Sequence, residues 1–116
     1  MSKRFTTVIS STVAVLVKGA IKDANGSPVP FKFNLTCNRI PASDLKNRIN
    51  SGDFDMKEVL KEITTGWKGQ RLVIDEDTKE PAEFCGEAFD ALLDIGGMAL
   101  VCFNSYARET SANEKN

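Results

Sequence analysis

The chain has 116 residues, 41% of them apolar, which is enough for one domain whose single core hides roughly 65% of the unfolded chain's surface. It contains no histidine, which excludes Ser-His and Cys-His nucleophile pairs, His-ligated zinc and the commonest general base near neutral pH. The formal net charge of −1 conceals a split, because residues 1–50 hold eight Lys and Arg against two Asp and Glu, whereas residues 51–116 hold seven against fourteen.

At the N-terminus, Lys3-Arg4 followed by the mildly apolar run Val8–Val17 imitates a secretory leader. Ser10, Ser11 and Thr12 interrupt that run, and Lys18 and Lys22 occupy the positions where a small-residue cleavage site belongs. No run reaches the ~18 apolar residues of a membrane span, so a soluble cytoplasmic protein is expected. The cysteines Cys37, Cys85 and Cys102 are odd in number and widely spaced. They match neither a disulfide framework nor a CxxC metal knuckle, and free thiols are expected.

The first regular element is a β-hairpin. From Val29 to Cys37 every second residue is apolar, and Val13, Val15, Val17, Gly19 and Ile21 run in the same phase before the turn residues Ala24-Asn25-Gly26. A two-residue loop would set Lys18 opposite Phe33. A three-residue loop instead pairs Ile21 with Val29, Gly19 with Phe31, Val17 with Phe33, Val15 with Leu35 and Val13 with Cys37, which makes one face apolar and gives Gly26 the left-handed position. Pro28 and Pro30 lack N–H donors, so the start of the second strand is expected on an unpaired edge.

Helices follow. Pro41-Ala42-Ser43-Asp44 opens a short one through about Asn50. Asp55, with Glu58 three residues on, caps a second whose stripe is Met56, Val59, Leu60 and Ile63, stopped by Gly66. Arg71–Ile74 reads as a short extended segment, and Asp75–Pro81 as an acidic turn. Glu87 to about Asp94 forms a third helix with Cys85 as its cap, and Met98 to about Glu109 a fourth, apolar on most sides, before a frayed polar tail over residues 110–116. Strands first and helices after argue α+β: an N-terminal antiparallel hairpin (12–38) and a mostly helical part of about four helices (41–109) in a single domain.

Three constellations imitate sites. The carboxylates Asp75, Glu76, Asp77 and Glu80 lack the spacing of a calcium loop and read as a solvated turn. Gly66-Trp67-Lys68-Gly69 imitates a backbone-clamping GxxG loop, yet Leu72-Val73-Ile74 and an acidic run follow where a second helix is needed. Cys85 has no histidine to activate it. No catalytic residue, cofactor site or metal site is expected, and the chain is not read as an enzyme.

The ordered set of a hairpin through Gly26, then Val59-Leu60-Lys61-Glu62-Ile63 running into Thr65-Gly66-Trp67-Lys68-Gly69, then Pro81 and Phe84, then Ala91-Leu92-Leu93-Asp94-Ile95-Gly96-Gly97 leading to an apolar helix with Tyr106, resembles the tail assembly chaperones of long-tailed bacteriophages. The resemblance covers most of residues 13–107. It implies a non-catalytic protein of the host cytoplasm, absent from the mature virion, that keeps the tape-measure protein soluble while tail-tube subunits polymerise. It also implies a possible frameshifted form that recruits tube subunits, with Glu114-Lys115-Asn116 a suitable place for the slip.

The residues suit that role by themselves, since an apolar strand surface and a fourth helix with several apolar sides favour self-association. A basic first half and an acidic second half favour head-to-tail contacts, and so concentration-dependent oligomers. The candidate partner contacts are Phe31, Phe33, Trp67 and Tyr106. Two other readings compete: a small nucleic-acid-associated protein using Lys3, Arg4, Lys18, Lys22, Lys32 and Arg39, and a structural component of the tail.

Overall fold

A computed structural model describes residues 5–112, so Lys3, Arg4 and the end of the tail, Glu114-Lys115-Asn116, lie outside the described residues. The elements run β1 (Thr12–Lys22), β2 (Pro28–Asn38), α1 (Ala42–Asn50), α2 (Met56–Ile63), β3 (Thr64–Lys68), α3 (Gly86–Leu93) and α4 (Met98–Thr110). The strands form one antiparallel sheet in the order β1-β2-β3, and the class is α+β.

The hairpin has the register expected from its alternation, with Ile21 opposite Val29, Gly19 opposite Phe31 and Val17 opposite Phe33. Its three-residue loop is closed by Asp23 N–H donating to Ser27 O at 2.9 Å, and Gly26 sits at φ 79°. Asp23 Oδ1 also accepts from the Asn25 and Ser27 amides, so one carboxylate organises the turn.

Strand alternation sends Val15, Val17, Phe33, Leu35 and Cys37 to the inner face, where all are buried. The helices cover that face from one side. The core is completed by Val59, Leu60 and Ile63 of α2, Phe89, Leu92 and Leu93 of α3, and Met98, Cys102 and Tyr106 of α4. Helix α4 touches β1, α2 and α3, which hides most of its apolar surface and leaves Leu100 as its one large exposed apolar side chain. The surplus of apolar sides anticipated for this helix is therefore mostly absorbed by its central position.

The α2 cap forms as its sequence dictates, with Asp55 Oδ1 accepting from the Lys57 and Glu58 amides at 3.0 and 3.5 Å. Cys85 caps α3 in the same way, its Sγ accepting from Ala88 N–H at 3.4 Å. Helix α1 buries no residue and is tied to α2 by a two-pronged Arg48–Glu62 bond at 3.0 and 2.7 Å.

The third strand differs from expectation. It is Thr64–Lys68, directly after α2, rather than Arg71–Ile74, of which only Ile74 makes an isolated bridge, to Pro81. Thr64 pairs with Cys37, Gly66 with Thr36 and Lys68 with Asn34, with a bulge between Thr36 and Cys37. Gly66, Trp67 and Lys68 are thus strand residues, and only Gly69 turns the chain, at φ 83°. This is not a GxxG loop.

The connection from Gly69 to Phe84 is organised by one side chain. Gln70 is 3% exposed; its Nε2 donates to Val73 O and Ala82 O, and its Oε1 accepts from the Leu72 and Val73 amides. The acidic turn beyond it is exposed, with Asp75 Oδ1 accepting from the Asp77 and Thr78 amides, as suits a solvated loop.

Candidate partner-binding surface

The four aromatic residues expected to meet a partner do not form one patch. Phe33 and Tyr106 are each 2% exposed and belong to the core. Phe33 lies in the inner phase of β2, across from Val17 and stacked on Phe31 at 5.9 Å, so its position is a packing position. Tyr106 ties the sheet to α4: its hydroxyl accepts from Ile40 N–H at 2.8 Å and donates to Asn38 O at 3.3 Å. Tyr106→Phe leaves the Ile40 amide without that acceptor and is expected to cost about 1–3 kcal/mol. Urea unfolding checks this as a lower midpoint at unchanged slope.

Phe31 and Trp67 are half-buried. Trp67 stacks edge-on against Phe84 at 5.3 Å and Phe89 at 6.3 Å, donates Nε1–H to Ala82 O at 3.1 Å, and lines a groove with Gln70, Arg71 and Pro81. Phe31 lies across Gly19, where an added Cβ would meet its ring tip at 2.8 Å. The ring therefore uses the missing side chain to reach over β1 toward the edge of the sheet.

Position in the strands also creates a surface that composition alone does not locate. Opposite the core, the outer face carries Lys18 and Lys22 of β1, Lys32 of β2 and Lys68 of β3, with Lys18 directly across from Lys32 and Lys68 across from Asn34. The other outer residues of these pairings are Thr, Ala, Leu, Pro, Asn and Gly, so no carboxylate interrupts the face. Like charges facing each other across strands oppose folding, which makes this arrangement one the sheet carries at some cost. The acidic connection, with Asp75, Glu76, Asp77, Glu80 and Glu83, follows Gln70 and packs against the inner aromatic side through Ala82 and Phe84. The strand lysines and the acidic connection thus lie on different sides of the sheet, while Arg48, Lys57 and Lys61 on the helical side are paired with carboxylates. Lys18, Lys22 and Lys32 were legible in the basic half; Lys68 was not, because its strand was expected elsewhere.

Chain comparison adds no relative to this geometry. No protein-family model, curated protein or solved structure matches the chain. Among the described residues, no helix is long and apolar enough to cross a membrane.

The three thiols are free, and each has a structural setting. Burial pushes the Cys102 thiol up to about 12 and raises that of Cys37, which also contacts the Thr64 hydroxyl at 3.5 Å. Both stay neutral in the fold near pH 7. The Arg48 guanidinium holds Glu62 below its ordinary range, and Lys57 and Lys61 do the same for Asp90, at 3.2 and 3.4 Å.

Depressed carboxylates stabilise above their unfolded values of about 4, and that contribution disappears as pH falls through the folded values. Raised thiols stabilise below their unfolded value of about 8.5, and stability declines as pH rises above it. With no histidine between, the urea midpoint is expected to be flat from about pH 5 to 8 and to fall at both ends. The acid limb should be shallow, because both carboxylates are exposed and screened.

Proposed function

We propose that the chain is a tail assembly chaperone of a long-tailed phage or prophage. It binds the tape-measure protein, keeps it soluble while tail-tube subunits add, acts in the host cytoplasm through self-association, and is left out of the finished particle. A frameshifted longer form would recruit the tube subunits. The resemblance of the ordered motifs over residues 13–107 supports this reading. The observation that carries it furthest in the geometry is the segregation of charge, an uninterrupted lysine face opposite a helical side with an acidic connection. Such a molecule attracts copies of itself head to tail and offers a broad surface to an extended client, and neither task requires a titrating side chain.

Size exclusion with light scattering tests the self-association: mass should rise with concentration at low salt, and the larger species should recede as salt screens the ionic contacts. A salt-insensitive monomer at every concentration would contradict the proposal. Lys32→Glu gives a sharper version. It turns the Lys18–Lys32 repulsion into an attraction and is expected to stabilise the fold by about 0.2–1 kcal/mol. The same change should weaken the larger assemblies, so thermal stability and assembly move in opposite directions.

The nucleic-acid reading draws on the same lysines. Gel shifts at low salt discriminate, because phosphate binding by this face should vanish steeply as salt rises. A structural tail component is separated by mass spectrometry of virions, in which a chaperone is absent.

A further inference from the structure

The ladder leaves one long strand edge open. Asp23 N–H to Ser27 O and Arg39 N–H to Ser11 O, at 2.9 and 2.8 Å, fix the alternation of the hairpin. Odd-numbered residues of β1 bond to β2, so the N–H and C=O groups of Ala14, Leu16, Lys18, Ala20 and Lys22 point away from it. Among the described residues, two side-chain contacts fall on that edge, Thr12 N–H to Ser10 Oγ at 3.3 Å at its start and Arg108 Nη2 to Leu16 O at 3.4 Å. The opposite edge of the hairpin is mostly closed: β3 pairs with Asn34–Cys37, and of the three outward positions before it Pro28 and Pro30 have no N–H to offer, which leaves Lys32.

The open edge borders apolar surface that no helix covers. The radius of gyration is 16.2 Å against about 13 Å for a compact chain of this length, and the hairpin beyond Lys18 is largely exposed. There Val29 is 49% exposed, and Phe31 leans over Gly19 to the edge itself. A segment suited to that edge precedes β1. Residues 5–10 read Phe-Thr-Thr-Val-Ile-Ser, uncharged and rich in β-branched residues, and Phe5, Val8 and Ile9 are 88%, 101% and 61% exposed. The segment is poorly placed to fold back on its own strand, because Ser11 already continues the ladder and Ser10-Ser11 contains no residue favoured in a two-residue hairpin turn.

We propose that residues 5–10 of one copy add as an antiparallel strand to the open β1 edge of a second copy, reciprocally, giving a two-fold dimer with one continuous sheet. The uncharged segment lies beside Lys18 and Lys22 without a like-charge conflict, and its apolar side chains cover the Gly19–Phe31 surface. This inference rests on the self-association part of the proposed function and specifies one interface within it. Main-chain pairing is insensitive to salt, so the dimer is the species that remains when the ionic assemblies dissolve.

The test is light scattering of the full chain in 1 M sodium chloride, where the mass should be twice 12.7 kDa. Two variants address the two halves of the interface. Ala20→Pro removes an outward N–H that the fold does not use, and Val8→Asn with Ile9→Asn alters only exposed side chains. Both are expected to be monomeric with circular dichroism and melting close to those of the parent. A monomeric parent in high salt overturns the inference, as does a dimer that persists in both variants. A dimer lost in Ala20→Pro but kept in the Val8/Ile9 variant also overturns it, since β1 would then pair with something other than residues 5–10. Because the chain is measured alone, none of these results depends on whether it binds a tape-measure protein.

Discussion

Phe89→Ala is expected to cost about 3–5 kcal/mol, the largest effect of any single truncation proposed for this fold. Phe89 is 2% exposed and its ring sits 5.4 Å from Phe84 and 6.3 Å from Trp67, so it joins α3 to β3 and to the end of the long connection. Its neighbours are anchored by backbone pairing and by the Trp67–Ala82 hydrogen bond, which limits how far they can close over the space left behind. Domains of this kind are stable by roughly 5–15 kcal/mol, so the variant should be partly unfolded at 37 °C if the parent lies at the low end. Urea unfolding followed by the fluorescence of Trp67, the one tryptophan of the chain, reads both the midpoint and the loss of local packing.

Gln70→Ala ranks second, at about 3 kcal/mol or more, by a different route. Four hydrogen bonds disappear together, leaving the Leu72 and Val73 amides without their acceptor, while the Val73 and Ala82 carbonyls keep the Ala82 N–H and the Trp67 Nε1–H as donors. Gln70→Glu distinguishes bonding from bulk. It keeps the two accepted bonds, but its carboxylate faces the carbonyls of Val73 and Ala82, to which it cannot donate. At pH 7 it should be no more stable than Gln70→Ala, and it should regain part of the loss on acidification as the carboxyl takes a proton and donates again. Equal stability of Gln70→Glu and the parent at pH 7 would show that the connection is held by packing alone.

How much of this was readable in the sequence depended on how local the determining pattern was. The hairpin register followed from two alternating runs and three turn residues, because a one-residue slip would have turned Lys18 into the core. The α2 and α3 caps were equally local, including a thiol at a position usually held by oxygen. Strand β3 was not readable. It has five residues, follows α2 without a turn, and its alternation is broken by the bulge opposite Thr36 and Cys37. The apolar run Leu72-Val73-Ile74 looked more strand-like but has no strand to join, and it is held by the amide of Gln70.

Two of the four candidate contacts lie in the core for a related reason. Phe33 shares the phase of Val15 and Val17, and Tyr106 the buried side of α4, so both patterns already pointed inward. What the pattern offered for recognition was the complementary phase, where the lysines lie. Only the register of three strands brings Lys18, Lys22, Lys32 and Lys68 onto one face. That face and the open edge of β1 share the hairpin, which makes the hairpin the part of the molecule from which assembly is expected to proceed.

Co-expression tests whether the chain keeps a long helical client soluble, as proposed. A tape-measure protein, the proposed client, would be produced alone, with the parent chain, and with the Lys18→Glu/Lys32→Glu variant, and its soluble fraction compared. The expected result is an insoluble client alone, a soluble client that co-purifies with the parent chain, and a marked loss of both with the variant. A client equally insoluble with and without the parent chain would contradict it.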